Sequence, residues 1–308
     1  MGSDVEAGHW FRKAALQGHA AGQLHLGYMY HSGQGLEKDD VEAVAWYRKA
    51  ADQGEDGALM NLGVMYYNGY GVEQSHAQAV EFFRQAADQE HLEAQYRLAT
   101  MYEDGLGVEQ DDAEALFWLL KAAERGFPKA QCELATKYIQ GLGVEENPKE
   151  GVSWLLKAAL QDDAAAQSYL GSVYASGIGV KPSDILAARW YKKAAAQNDA
   201  LAMYNLGCFY YHGRGVQQSF SSALAWHRMA TELGNKMSPR NIGGMYEAGN
   251  GVEQSMVEAV KWYLISAERG DVKAQLHVAE IFLRGRGVEK NMAEASKWFC
   301  KAAEQDDV

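Results

Sequence analysis

The sequence predicts an all-α chain. It reads as a right-handed superhelical α-solenoid of stacked antiparallel helix pairs, with about seventeen helices on a 36-residue repeat. Three observations predict this. A Gly-x-Gly pair followed by Val or Leu starts at Gly33, Gly69, Gly105, Gly141, Gly177, Gly213, Gly249 and Gly285, a constant step of 36 residues without insertion or deletion. The eight tryptophans, Trp10, Trp46, Trp118, Trp154, Trp190, Trp226, Trp262 and Trp298, keep the same period, and Phe82 fills the register that lacks one. Only four prolines occur in 308 residues and alanine is abundant, which favours helix throughout.

Each unit reads as helix A, glycine turn, helix B. Helix B opens six residues after the first turn glycine, at Asp39, Ser75, Asp111, Asn147, Ser183, Ser219, Ser255 and Asn291. Each is a residue whose side chain accepts an otherwise orphaned backbone N–H. Three residues on stand Glu42, Gln78, Glu114, Glu150, Glu258 and Glu294, which predict a reciprocal capping box; Leu186 and Ser222 break it. Ala43, Trp46, Tyr47 and Ala50 then share one helical face. Small alanines allow close approach, and the aromatic fills the space between layers. Gly54 is expected to end helix B, as are Gly18, Gly126, Gly234 and Gly270; Asn198 substitutes well, and Glu90 and Asp162 less well.

Helix A carries Ala58, Leu62, Gly63 and Tyr66, repeated as Ala94, Leu98, Ala99, Tyr102 and as Ala202, Leu206, Gly207, Tyr210. A Gly or Ala after the Leu permits close packing of A on B. The Gly-x-Gly pair follows a helix, not a strand, and occurs eight times, so it is a structural turn and no nucleotide loop. Counting elements gives a lone helix B over about residues 4–17 and then eight A–B pairs ending near Glu304. Met1-Gly2-Ser3 reads as an expression scar on a truncated native N-terminus, and residues 4–308 as a single solenoid domain.

Composition excludes several functions. The formal net charge of −12 disfavours nucleic acid, which needs a basic face, and suits a neutral or basic protein partner. No stretch approaches the length of apolar residues that spans a membrane. Cys132, Cys208 and Cys300 are odd in number and far apart, so neither a disulfide framework nor a metal site is expected, and no cofactor is called for. Either a cytoplasmic or a periplasmic or secreted location fits, and nothing indicates a homo-oligomer.

The motif Ala-Gln-x-x-Leu-Gly-x-x-Tyr-x-x-Gly-x-Gly-Val, followed by Glu-Ala-x-x-Trp-Tyr-x-Lys-Ala-Ala, resembles the Sel-1-like repeat family. Ala94 through Val108 and Glu42 through Ala51 are good copies. The resemblance covers essentially the whole chain. It implies a fold related to the tetratricopeptide solenoids and adaptor or scaffold roles: complex assembly in eukaryotes, and host interaction, envelope function or toxin immunity in bacteria. Some bacterial members carry a disulfide in every repeat, which this chain lacks. The seventh repeat departs most, with Thr231, Ser238-Pro239 and Ile242-Gly243-Gly244; Pro239 fits only a first helical turn, and a local change of curvature is expected there.

By the same resemblance helix A lines the inner face, so its variable positions are the candidate contacts. The column before the motif Leu holds His25, Asn61, Arg97, Glu133, Tyr169, Asn205, Asn241 and His277. Another column begins with Tyr28, and the last turn adds Tyr67, Tyr211, His212 and Glu247, with Tyr204 beside Asn205. Asn pairs with peptide backbone of any sequence, and Tyr offers large contact area at small entropic cost. The expected function is therefore a scaffold that binds a protein or peptide on its concave face. An immunity protein that covers a toxin enzyme is the alternative, and a cell-wall hydrolase the remote one. The chain has no His-Glu-x-x-His and no Gly-x-Ser-x-Gly, and His76, His91 and His227 fall on core or variable repeat positions. No enzyme activity is expected.

Overall fold

The computed structural model describes residues 2–305, so Met1 of the expected scar and residues 306–308 of the expected domain lie outside the described residues. Among those residues there are seventeen helices and no strand. Two compact units follow along the chain, residues 1–146 and 147–308. The first holds α1 (Gly2–Leu16), α2 (Ala20–Ser32), α3 (Asp40–Ala51), α4 (Asp56–Asn68), α5 (His76–Asp88), α6 (Leu92–Asp104), α7 (Asp112–Glu124) and α8 (Pro128–Gln140). The second holds α9 (Pro148–Ala159), α10 (Ala164–Ser176), α11 (Asp184–Ala195), α12 (Ala200–His212), α13 (Phe220–Glu232), α14 (Ser238–Ala248), α15 (Met256–Glu268), α16 (Val272–Arg284) and α17 (Met292–Ala303). Within each unit every helix packs on the next in chain order, giving the stacked hairpins of a helical solenoid. No helix among the described residues is long and apolar enough to cross a membrane.

The helix B starts behave as their side chains require. All eight predicted caps accept a backbone N–H two or three residues on, from Asp39 to Glu42 N at 3.0 Å through Asn291 to Glu294 N at 3.0 Å. The other half of the predicted capping box does not form. In seven repeats the cap residue's own N–H donates to a carbonyl nine residues earlier, as Asp39 does to Tyr30 and Ser75 to Tyr66, each at 2.9 Å. That donor is therefore already satisfied, and Glu114 accepts from Trp118 Nε1 at 3.2 Å instead.

The two turn glycines do different things. The first ends helix A in the left-handed region, with φ between 65° and 77°. The second lies against the repeat before it at Gly71, Gly107, Gly179, Gly215, Gly251 and Gly287, though not at Gly143: a Cβ on Gly71 would stand 2.2 Å from Asp40 O, and one on Gly215 would stand 2.1 Å from Asp184 O. Helix B ends in the same left-handed geometry even without glycine, at Glu90 (φ 68°), Asp162 (φ 61°) and Asn198 (φ 64°).

A size match joins A to B. A Cβ on Gly63 would come within 2.4 Å of the Phe83 ring, and one on Gly171 within 2.6 Å of Tyr191. Where the glycine becomes Ala99 or Ala135, the residue at the facing position is Leu119 or Leu155. Two further columns were not anticipated in role. The motif Gln donates to the carbonyl ending the preceding helix B, as Gln131 Nε2 does to Ala123 O at 2.9 Å. Lysine three residues after the Trp lies over the indole, at 3.5 Å for Lys157 on Trp154 and 3.8 Å for Lys49 on Trp46.

The seventh repeat is irregular. Helix α14 has eleven residues where the other A helices have thirteen, and its N-cap Met237 offers no side-chain bond. Asn235 Oδ1 accepts from Met237 N at 3.0 Å and Ser238 N at 2.9 Å in its place. Pro239 sits in the first turn, where its missing N–H costs nothing.

Candidate functional site

The candidate residues of the first unit are engaged locally. Tyr28 on α2 is 48% exposed and borders a small hollow of about 210 Å³ with Phe11 and His25. Asn61 and Tyr67 are half-buried on α4, and the Tyr67 ring leans on His76 with centroids 5.1 Å apart. Arg97 pairs with Glu93 one turn back on α6, at 2.8 Å. Glu133 on α8 faces Tyr96. Burial pushes the Glu133 carboxyl up, and burial together with that carboxylate pushes the Tyr96 phenol to about 12.

In the second unit five candidates converge. Tyr204, Tyr211 and His212 from α12, Asn241 from α14 and His277 from α16 border one open hollow of about 560 Å³. Repeat geometry explains the convergence: positions that recur on successive A helices fall side by side. Tyr169 on α10 and Asn205 on α12 are half-buried and not among its lining residues.

The floor of the hollow is a polar network. His227 of α13 is 1% exposed and lies over Gly207, where other repeats place Phe83 or Tyr191. Asn241 Nδ2 stands 3.4 Å from His227 Nε2 and 3.5 Å from Cys208 Sγ, and Ser238 Oγ is 3.4 Å from His227 Nδ1. Burial lowers the His227 pKa to about 4, so the ring is neutral at pH 7. Burial also raises the Cys208 thiol, although Tyr204 and Asn241 donate to it.

The rim is held by two carboxylates. Glu247 accepts from Tyr263 Oη at 2.7 Å, from Arg286, and from His277 Nε2 at 3.3 Å. Burial works against its ionisation, but these bonds outweigh it and hold the carboxyl below its usual range. Glu247 is thus a strut between α14, α15 and α16, with three donors on it. Asp271, only 6% exposed, caps α16 through Ala274 N at 3.1 Å and holds Arg240 Nε at 3.0 Å.

Cys208 and His227 bring a thiol and an imidazole into one hollow, a convergence that the sequence did not suggest. Asn241 stands between them, and their environments favour the neutral thiol and the neutral ring. The arrangement does not generate a thiolate. Among the described residues no cluster of side chains is suited to hold a metal ion. What the hollow offers is a set of hydrogen-bond donors and aromatic surfaces.

Sequence reasoning left out Arg240, Tyr263 and Lys273, which also line the hollow, and placed Gly244 only as a member of the column that begins with Tyr28. A signal for Arg240 existed. Its column otherwise reads Leu24, Met60, Tyr96, Cys132, Ser168, Tyr204 and Leu276, none of them charged.

The family described as the Sel1 repeat matches residues 3–19, 20–55, 57–91, 92–127, 128–163, 164–199, 200–235, 240–271 and 272–307. The chain is similar to a protective antigen present in uropathogenic Escherichia coli strains that displays an SLR fold, with 36% identity and a TM-score of 0.83 over 97% of this chain. It spans 64% of that protein's length. It is also similar to a Sel1 repeat protein from Oxalobacter formigenes, at 30% identity and a TM-score of 0.70, covering 96% of this chain and 86% of the other. Among curated proteins none matches.

Proposed function

The chain belongs to the Sel1 repeat family, and from that membership we propose that it is a scaffold that binds a protein partner by seating a segment of it between helices α12, α14 and α16. Sel1 repeat proteins generally mediate protein–protein interactions and are typically non-catalytic. The single observation that carries the reading is the convergence of Tyr204, Tyr211, Asn241 and His277 on one open hollow of about 560 Å³. That volume lies within the ~300–1,000 Å³ of pre-formed ligand sites, enough for a peptide tip or the end of a loop. Tyr204 and Tyr211 supply contact area, and the amide of Asn241 supplies hydrogen bonds at the floor. A bacterial host-contact or envelope role is the finer reading. The likeness to an antigen of uropathogenic Escherichia coli supports it.

The test is affinity capture with the full chain and mass spectrometry of what is retained, run on the wild type, on the Tyr204→Leu/Tyr211→Leu variant, and on Tyr67→Leu as a first-unit control. A specific partner is expected to fall at least about tenfold with the double variant, in line with aromatic anchors worth ~2 kcal/mol or more, and to persist with the control. Equal capture by wild type and double variant, at unchanged melting temperature, contradicts the proposal.

A further inference from the structure

Gly244 sits in the middle of α14, a place where glycine weakens a helix. Its column in the other repeats reads Tyr28, Val64, Thr100, Thr136, Ser172, Cys208 and Glu280, all bearing side chains. Packing does not require the exception. A Cβ built on Gly244 meets only Tyr263 Oη, at 3.6 Å, an ordinary contact. Gly243, next to it, is different: there a Cβ would press into the Tyr263 ring at 2.8 Å. Gly244 therefore gives up helix stability with no neighbour to accommodate, and what it leaves open is the hollow it lines.

The charge around that opening is the reverse of the whole chain's. No Asp or Glu is among the lining residues, whereas Arg240 and Lys273 are. Asp271 holds Arg240 by Nε, and Glu247 is saturated by its three donors. Lys273 is exposed and, among the described residues, pairs with no carboxylate. In a protein of net charge −12 this is a local cationic recess with a tyrosine and asparagine floor.

Resting on the scaffold reading above, we propose that this recess receives the side-chain carboxylates of an acidic peptide segment, with Gly244 as the residue that keeps the space open for it. Arg240 is oriented by Asp271 toward a fixed geometry, the condition under which a guanidinium recognises a carboxylate. Lys273 adds a mobile charge at the rim. The net negative charge of the chain disfavours anions elsewhere on average, so such a segment is favoured at this recess.

A random heptapeptide library displayed on phage, panned on the immobilised full chain, tests this. Selected sequences are expected to be enriched in Asp and Glu. As synthetic peptides they should bind Gly244→Val at least tenfold more weakly and Lys273→Ala several-fold more weakly, and their Glu→Gln versions should lose binding to the wild type. Gly244→Val should melt no lower than the wild type, since the second repeat already carries Val64 in that column. Selected peptides without acidic enrichment, or acidic peptides that bind Gly244→Val equally well, overturn this assignment and leave the scaffold reading standing. A wild-type chain that selects no peptide overturns both.

Discussion

Glu90 and His227 show what a single residue is made to do by its place in the repeat. Glu90 holds a left-handed conformation that glycine adopts freely at Gly54 and Gly126. That geometry costs an L-residue roughly 1–2 kcal/mol, against 0–1 kcal/mol for its exposed ion pair with Arg125. Glu90→Gly is therefore expected to stabilise the protein by about 0.5–1 kcal/mol, read in urea titrations. His227 is a neutral core ring in a column that otherwise holds Phe, Tyr or Leu. Its folded pKa of about 4 lies below the usual 6.5, so the unfolded chain binds the proton more readily. The associated stability is intact above pH 6.5 and is lost as the pH falls from 6.5 toward 4, by of order 3 kcal/mol in all. His227→Phe lacks this term. Wild type should lose about that much more stability than the variant between pH 7 and pH 4; parallel losses would show that the ring is not held neutral.

Helices here are specified by pairs of positions more than by single ones. Gly63 and Phe83 pack where Ala99 and Leu119 occupy the same two places one repeat later. Gly63→Ala alone should cost about 1–3 kcal/mol by driving a methyl into the Phe83 ring. Adding Phe83→Leu should recover most of it, with a coupling energy above about 1 kcal/mol in a double-mutant cycle. Simple additivity would mean that the two helices do not fix their separation through this contact. The boundaries of such elements were legible in the sequence because caps and turn glycines act over three or four residues. The reciprocal capping box was not, because a main-chain carbonyl nine residues away took the donor first. The roles of the motif Gln and of the Lys over six of the Trp rings were hidden for the same reason: both depend on atoms supplied by the fold.

The whole chain is legible to an unusual degree because each repeat serves as a copy of the others. Fold class follows from the period, and the deviant seventh repeat announces itself in Ser238, Pro239 and Gly244. The site was legible only in part. Variable positions on helix A named Tyr204, Tyr211, His212, Asn241 and His277, but not that they share one hollow, and they also named Arg97, whose guanidinium is occupied by Glu93 within its own helix. Variability marks freedom from the core; convergence is a property of three dimensions. Net charge likewise pointed to a neutral or basic partner, and its average conceals the cationic recess at Arg240 and Lys273. The most direct measurement is hydrogen exchange of the full chain with and without a bound partner. Binding between the A helices of the second unit predicts slower exchange in α12, α14 and α16 with α4 and α6 unchanged. Protection confined to α3, α5 and α7, or spread evenly over the B helices, would contradict it.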